Sequence, residues 1–179
     1  MRRISLQAGV GFKEFLGVAI LLVEGYGRVA MSKKLGYRER LVRDVLDAIK
    51  CSEPARRSLE VIGSLHRLVF KPGLPTCTPV VYSNLGEELL DAVLKNVVSL
   101  RDYIVAYSGS PAKVEVVGVI KGGKLQYPGL PDDISGPYLG VFEDKRVPDG
   151  IVVCWRNYVE YVDDSTLLAS LANLCPSTL

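Results

Sequence analysis

The sequence predicts an α/β (α+β) protein in two parts, a helical N-terminal domain over about residues 1–72 and a small α/β domain over about 76–179. Three observations carry that expectation. Apolar residues recur at helical spacing from Phe15 to Ile49, punctuated by glycines. β-Branched runs such as Val114–Ile120 and Ile151–Trp155 gather in the second half. The charge changes sign at Lys71-Pro72-Gly73-Leu74-Pro75, which has the composition of a linker. Residues 1–74 hold 14 Lys/Arg against 7 Asp/Glu, whereas residues 75–179 hold 8 against 13.

Phe15, Leu16, Ala19, Leu22 and Val23 follow the 3.6-residue period and predict a first helix over about Phe12–Glu24, stopped by Gly25-Tyr26-Gly27. From Gly27 to Lys50 the chain reads as two short helices joined by a tight turn. The first needs Val29, Met31 and Leu35 on one side, and Gly36 supplies the left-handed residue that ends it. Val42, Val45, Leu46 and Ile49 form an i, i+3, i+4, i+7 stripe on the second. A helix-turn-helix is the simplest object with this spacing, and such a pair can place its second helix in the major groove of DNA. Ser58–Phe70 reads as two β runs hinged at Gly63-Ser64, because glycine at the first turn position is what a type II′ hairpin demands. Three helices and then a β-hairpin is the order of a winged helix-turn-helix.

The second half mixes elements. Val80–Tyr82 is a short strand candidate, and Asn84 is placed to cap a helix holding Glu87 and Glu88, although Ala92–Val98 reads equally well as a strand. Ser99–Tyr107 presents Leu100, Ile104 and Tyr107 on one helical face, ended by Gly109. Gly122-Gly123 signals a hairpin between Val114–Ile120 and Leu125–Tyr127. Residues 128–149 read as an acidic loop rich in glycine and proline. Asp163-Asp164-Ser165 opens a last helix bearing Leu167, Leu168, Leu171 and Leu174.

The longest apolar run, Phe15–Val23, falls far short of the roughly 20 residues that span a bilayer, and the N-terminus lacks the pattern of a signal peptide. A cytoplasmic protein without membrane contact is expected. Cysteines stand at 51, 77, 154 and 175, none in a C-x-x-C pair, and His66 is the one histidine, so no metal site is expected. Free buried thiols are the simplest reading of the cysteines. The small number of Asn and Gln hints at a heat-adapted source, in which an intracellular disulfide becomes an option.

The basic surface of the helix-turn-helix is the strongest functional signal. Arg38 opens the second helix, and Arg40 and Arg43 lie off its apolar stripe, as do Asp44 and Asp47. Lys33 and Lys34 precede the turn, and Arg56, Arg57 and Arg67 border the expected wing. Arginine can fork onto guanine or grip phosphate, and each phosphate neutralised adds a salt-dependent increment of affinity. A solvated face on a helical module that binds protein is the competing reading, and RNA a third. Ser108-Gly-Ser-Pro and Lys121-Gly-Gly-Lys124 lack the spacing of a phosphate-binding loop, and Gly9-Val-Gly11 lacks a third glycine and a preceding strand. Asp132-Asp133 and Asp163-Asp164 lack the ligand ladder of a calcium loop. No catalytic residues and no cofactor are expected.

In the stretch Gly27–Ile49 the chain resembles archaeal winged-helix regulators. Gly27-Arg28, Leu35-Gly36 and Val42-Arg43 stand where those proteins have a Gly-Arg start, a Leu-Gly turn and a Val-Arg pair before an apolar helix. The second half is similar to an uncharacterised archaeal family with an N-terminal winged helix and a C-terminal α/β domain. The likeness lies in Arg101-Asp102, in Lys121-Gly-Gly-Lys-Leu-Gln-Tyr-Pro128-Gly129, in Asp149-Gly-Ile-Val-Val and in Leu167–Leu174. The resemblance implies a transcriptional regulator and brings no established activity. There is one departure. Those regulators place Ser or Thr at the N-cap of the recognition helix and again three residues on, where this chain has Arg38 and Leu41. Losing such a cap costs about 1 kcal/mol of helix stability, and an exposed Leu41 suits a thymine methyl or a partner protein equally.

The expectation is therefore a DNA-binding regulator that reads duplex DNA as a homodimer, with Arg38, Arg40 and Arg43 entering the groove and Lys33, Lys34, Arg56, Arg57 and Arg67 gripping the backbone. The acidic domain would dimerise or sense a small-molecule effector. A protein-binding assembly module and an enzyme housed in residues 76–179 are the alternatives.

Overall fold

The computed structural model describes residues 9–70, 74–142 and 145–175, the side chains of 54–58 and 132 excepted. The fold is α+β and divides into two compact units. A helical unit combines residues 9–64 with 159–172, and a sheet unit comprises residues 65–158 with 173–175. The expected change of domain near residue 72 lies earlier, at Ser64/Leu65, and a segment near the C-terminus belongs to the helical unit. Among the described residues, no helix is long and apolar enough to cross a membrane.

In the helical unit, α1 (Phe12–Val23) buries every residue from Phe15 to Leu21, so it forms the centre of its unit rather than one side. Gly17 lets it lie close to its neighbours: a Cβ there would stand 3.2 Å from Leu35 and 3.7 Å from Ser165. Helix α2 (Arg28–Leu35) buries Met31 and Leu35, then ends at Gly36 in the left-handed region, φ 69°. The Tyr37 amide donates back to the Ser32 carbonyl at 3.1 Å and closes the turn. Helix α3 (Glu39–Lys50) buries Val42, Val45 and Ile49, with Leu46 half-buried. The helix-turn-helix thus forms as its spacing predicts, with one correction: Val29 faces solvent at 48% exposure instead of joining the buried side.

The expected wing does not form at Gly63-Ser64. Ser58–Ser64 is the end of α4 (Glu53–Ser64), which packs on α1 and α3 and buries Ile62. Gly63 is not in the positive-φ conformation a II′ turn requires. Its missing side chain lets the helix approach α1, since a Cβ would meet Val23 Cγ1 at 3.0 Å. Only the second half of the expected hairpin is a strand, β1 (His66–Val69), and it pairs with β2 (Thr78–Ser83) in the sheet.

The sheet has five strands in the order β1-β2-β5-β3-β4, and every neighbouring pair is antiparallel. Helices α5 (Glu87–Lys95) and α6 (Val97–Ser108) pack against β3 (Val114–Lys121), so Ala92–Val98 is a junction of two helices and not a strand. Asn84 does not cap α5; Gly86 holds that place, and Asn84 sits at φ 62°. Gly122 and Gly123, both at positive φ, make the predicted two-residue turn into β4 (Lys124–Gln126), and Asp149 accepts both of their amides, at 2.8 and 3.1 Å. The stretch read as a loop contains a short helix, α7 (Asp132–Gly140), despite Pro137 inside it. Strand β5 (Gly150–Trp155) is buried along its whole length at the centre of the sheet.

Alternation along β2, β3 and β5 sorts the core. Val81, Ile120 and Val152 pack beneath Leu68, Phe70, Phe142 and Val147. Cys154, two residues beyond Val152, packs with Cys77, Val116 and Tyr127, and Tyr138 of α7 closes that cluster. Cys77 and Cys154 form a disulfide across 77 positions of sequence, which corrects the free-thiol reading for that pair; Cys51 and Cys175 stay free. The last helix, α8 (Val162–Leu174), is buried on every side from Asp163 to Leu171. Its two aspartates serve its own start. Asp163 accepts the Val159 amide at 2.7 Å and Asp164 the Tyr161 amide at 2.8 Å, the reach-back half of a capping box.

Candidate nucleic-acid interface

Five of the eight predicted contact residues share the helix-turn-helix. Lys33 and Lys34 occupy the last turn of α2, Arg38 is the N-cap of α3 with φ −66° and ψ 139°, and Arg40 and Arg43 follow on α3. All five are exposed. Arg38 offers the helix no capping side-chain bond, so its guanidinium extends the basic surface without serving the fold. Leu41, expected to be exposed, is half-buried.

Carboxylates temper the charge. Arg40 Nε lies 3.9 Å from Asp44 and Arg43 Nε 3.7 Å from the same carboxylate, and Arg28 lies 3.6 Å from Glu39. On α3 the cations Arg40, Arg43 and Lys50 are balanced by Glu39, Asp44 and Asp47, so the helix alone is neutral. The basic excess belongs to the turn and the end of α2. Arg40 is more open than Arg43 or Arg28, with its side chain 85% exposed, and ion pairs at this exposure are weak enough for a ligand to displace.

Lys34 has a second environment. Its ammonium stands 4.8 Å from the Tyr26 ring centre and 5.1 Å from that of Tyr161, and the two rings meet edge to face at 6.1 Å. Tyr161 is buried and holds φ 66°, an outlier for a bulky residue. Burial, then hydrogen bonds with Tyr26 and Glu24, push its hydroxyl well above the ordinary phenol range. Sequence reasoning missed this cluster, because Tyr161 lies more than a hundred positions from its partners.

The remaining three predicted residues lie on elements other than the helix-turn-helix. Arg67 lies on β1 of the sheet unit, opposite Tyr82. Arg56 and Arg57 fall within the span of α4, and their side chains lie outside the described residues. Arg28, which sequence reasoning did not select, borders a groove of about 620 Å³ between α2 and α3. Val29, Ala30 and Leu46 line that groove together with Arg28, Arg43, Asp47 and Lys50.

The sheet unit holds one interlocked polar group. Glu115, at a register shift in β3, accepts hydrogen bonds from Tyr138 at 2.6 Å, Thr76 at 2.8 Å and Arg156 Nε at 2.9 Å. Burial alone would raise its pKa, but these three donors outweigh it and hold the carboxyl below the usual range. Tyr138 is pushed up to about 12 by burial and by donating to Glu115. With its lone pairs committed to structural donors, Glu115 ties β3 to α7 and to the segments beside the disulfide. Among the described residues no cluster of His, Cys, Asp and Glu is arranged to hold a metal.

Neither a protein-family model nor a curated protein matches the sequence. Among solved structures, the chain is similar to the hypothetical protein PH0730 from Pyrococcus horikoshii OT3, with a TM-score of 0.53 and 13% identity over 91% of this chain and 93% of that one. At that identity the similarity is one of fold alone.

Proposed function

We propose that the chain is a transcriptional regulator whose helical unit binds duplex DNA, with the N-terminal half of α3 directed at the major groove. The observation that carries this reading is the turn at Gly36, which leaves Arg38, Arg40 and Arg43 exposed on one short stretch beside Lys33 and Lys34. In a helix-turn-helix the first residues of the second helix meet base edges. Arg40 and Arg43 are the groove candidates, and Arg38, Lys33 and Arg28 suit phosphates. The sheet unit pairs two copies or takes a small effector.

Fluorescence anisotropy of the full chain with a random-sequence duplex tests this. Binding at low salt that weakens on a log–log salt plot, with a slope of about −0.9 for each phosphate contacted, supports it. Absence of any affinity at low salt overturns it. One observation favours a second reading: the groove beside α3 has an apolar floor of Val29, Ala30 and Leu46 within a charged rim, as a protein-binding groove would. Loss of duplex binding on substituting Val29 with aspartate would not separate the two readings, whereas unchanged duplex binding would detach that groove from DNA.

A further inference from the structure

The geometry points to β4 as the seam of a symmetric dimer, formed when the edge strands of two copies pair antiparallel about Leu125. The inference deepens the reading of the sheet unit as a pairing module and does not rest on DNA binding. Strand β4 is an outer strand of the sheet, with β3 on one side only. The register places Lys124 opposite Lys121 across the two-residue turn, Leu125 opposite Ile120, and Gln126 opposite Val119. In such a hairpin the pair flanking the turn exchanges hydrogen bonds and the next pair does not. Leu125 therefore turns its N–H and C=O away from β3, toward the open edge. The edge is held ready for a partner, because the Asp149 carboxylate fixes the turn through the Gly122 and Gly123 amides.

A second copy is the occupant this edge fits. An antiparallel partner must offer one acceptor and one donor opposite Leu125, with an apolar side chain on the same face, and Leu125 of another copy offers all three. The two-fold register sets Lys124 against Gln126 of the partner, so no like charges face each other across the seam. A lysine ordinarily blunts an edge against pairing, but at this register Lys124 faces Gln126 of the partner and not another lysine. Two hydrogen bonds alone do not make a stable dimer. The rest comes from apolar surface on either side of the edge. A depression of about 520 Å³ opens along β4 beside Leu94, Leu130 and Leu139, and another of about 430 Å³ lies beyond Leu125 and Leu139 toward Phe142. Leu139 is 41% exposed there, and pairing would cover it.

Light scattering after size exclusion on the full chain tests the seam. The expected mass is twice the 19.6 kDa of one chain. Leu125→Pro removes the outward N–H without taking a bond from β3, and the mass should fall to one chain while the melting curve keeps its shape. If that variant does not fold, Leu125→Cys in a Cys51→Ser, Cys175→Ser background decides the matter. Residues in a hydrogen-bonded antiparallel pair have Cα atoms about 5.5 Å apart, within disulfide reach, so this variant should oxidise to a covalent dimer. Lys124→Cys, displaced by two residues from its own symmetry mate, should not. A monomer at every concentration, or a dimer that forms no such bond through position 125, overturns the seam and leaves the edge to another occupant. Chain mass reports on this inference and duplex titration on the DNA reading, so either can fail without the other.

Discussion

Trp155 donates its indole N–H to the Tyr82 hydroxyl at 3.0 Å, joining β5 to β2 inside the sheet unit where both side chains are fully buried. This bond lets the large indole ring enter the core without stranding its donor. Tyr82→Phe keeps the ring and leaves the indole N–H unsatisfied. It should cost about 1–3 kcal/mol, read as a lower urea midpoint with an unchanged slope.

Asp44 sits against both Arg40 and Arg43, the arginines proposed for the DNA groove. Asp44→Asn keeps the shape of the side chain, removes the competing charge and releases two guanidiniums. Duplex affinity at low salt should therefore rise, while Arg40→Ala should lower it. Weaker binding by Asp44→Asn would mean that Asp44 positions the arginines for the ligand rather than restraining them.

The Cys77–Cys154 bond closes a loop of 77 positions. On chain-entropy grounds a loop of that length is worth about 4–5 kcal/mol of stability. Cys154→Ala should lower the melting temperature of the oxidised protein by a large margin and leave that of the fully reduced protein little changed. Thiol labelling of the denatured chain should find two free cysteines without reductant and four with it.

Glu115 sets an acid limit. Its carboxyl is held below the ordinary range in the folded chain, so its contribution to stability is complete above the unfolded carboxylate pKa and is lost as pH falls through the folded value. Glu115→Gln should be less stable near neutrality and show a flatter decline between about pH 5 and the acid end. The tyrosines act at the other end. Tyr37 and Tyr138 titrate near 12 in the folded chain, so their contribution falls as pH rises from about 10, the ordinary phenol value, toward 12. An acid melting profile of Glu115→Gln that tracks the parent protein would refute the first assignment.

Much of this was legible in the residues, and the misses have a common cause. Gly36 and the Val42, Val45, Ile49 stripe specify the helix-turn-helix from within two dozen positions, and Gly122-Gly123 specifies its hairpin from two. Leu59, Val61 and Ile62 read as a β run and proved helical, because a short apolar run fits a strand or a buried helix side equally. What decided them was packing on α1, where Gly63 meets Val23. Strand β1 was recognised as extended, but its partner is β2 and not the residues before it. Helix α7 defies its own propensities, with Gly136, Pro137 and Gly140, and is held by Tyr138 against Glu115 and Tyr127. At the candidate interface the arginines were visible, as was Asp44 four residues beyond Arg40 on the same helix, while Tyr161 beneath Lys34 was not, since it lies far away in sequence. None of those long-range contacts leaves a periodic trace.

The return of residues 159–172 to the helical unit has a consequence for how the protein comes into being. A ribosome makes the helix-turn-helix early but supplies α8, whose Ser165 lies against Gly17 of α1, only near the end. Until then the apolar side of α1 that α8 will cover has nothing to rest on. The segment that would meet DNA therefore matures last although it is made first. A nascent chain arrested before residue 159 should remain protease-sensitive in its helical part, and any gene fragment encoding the first seventy-odd residues alone should yield an unfolded product.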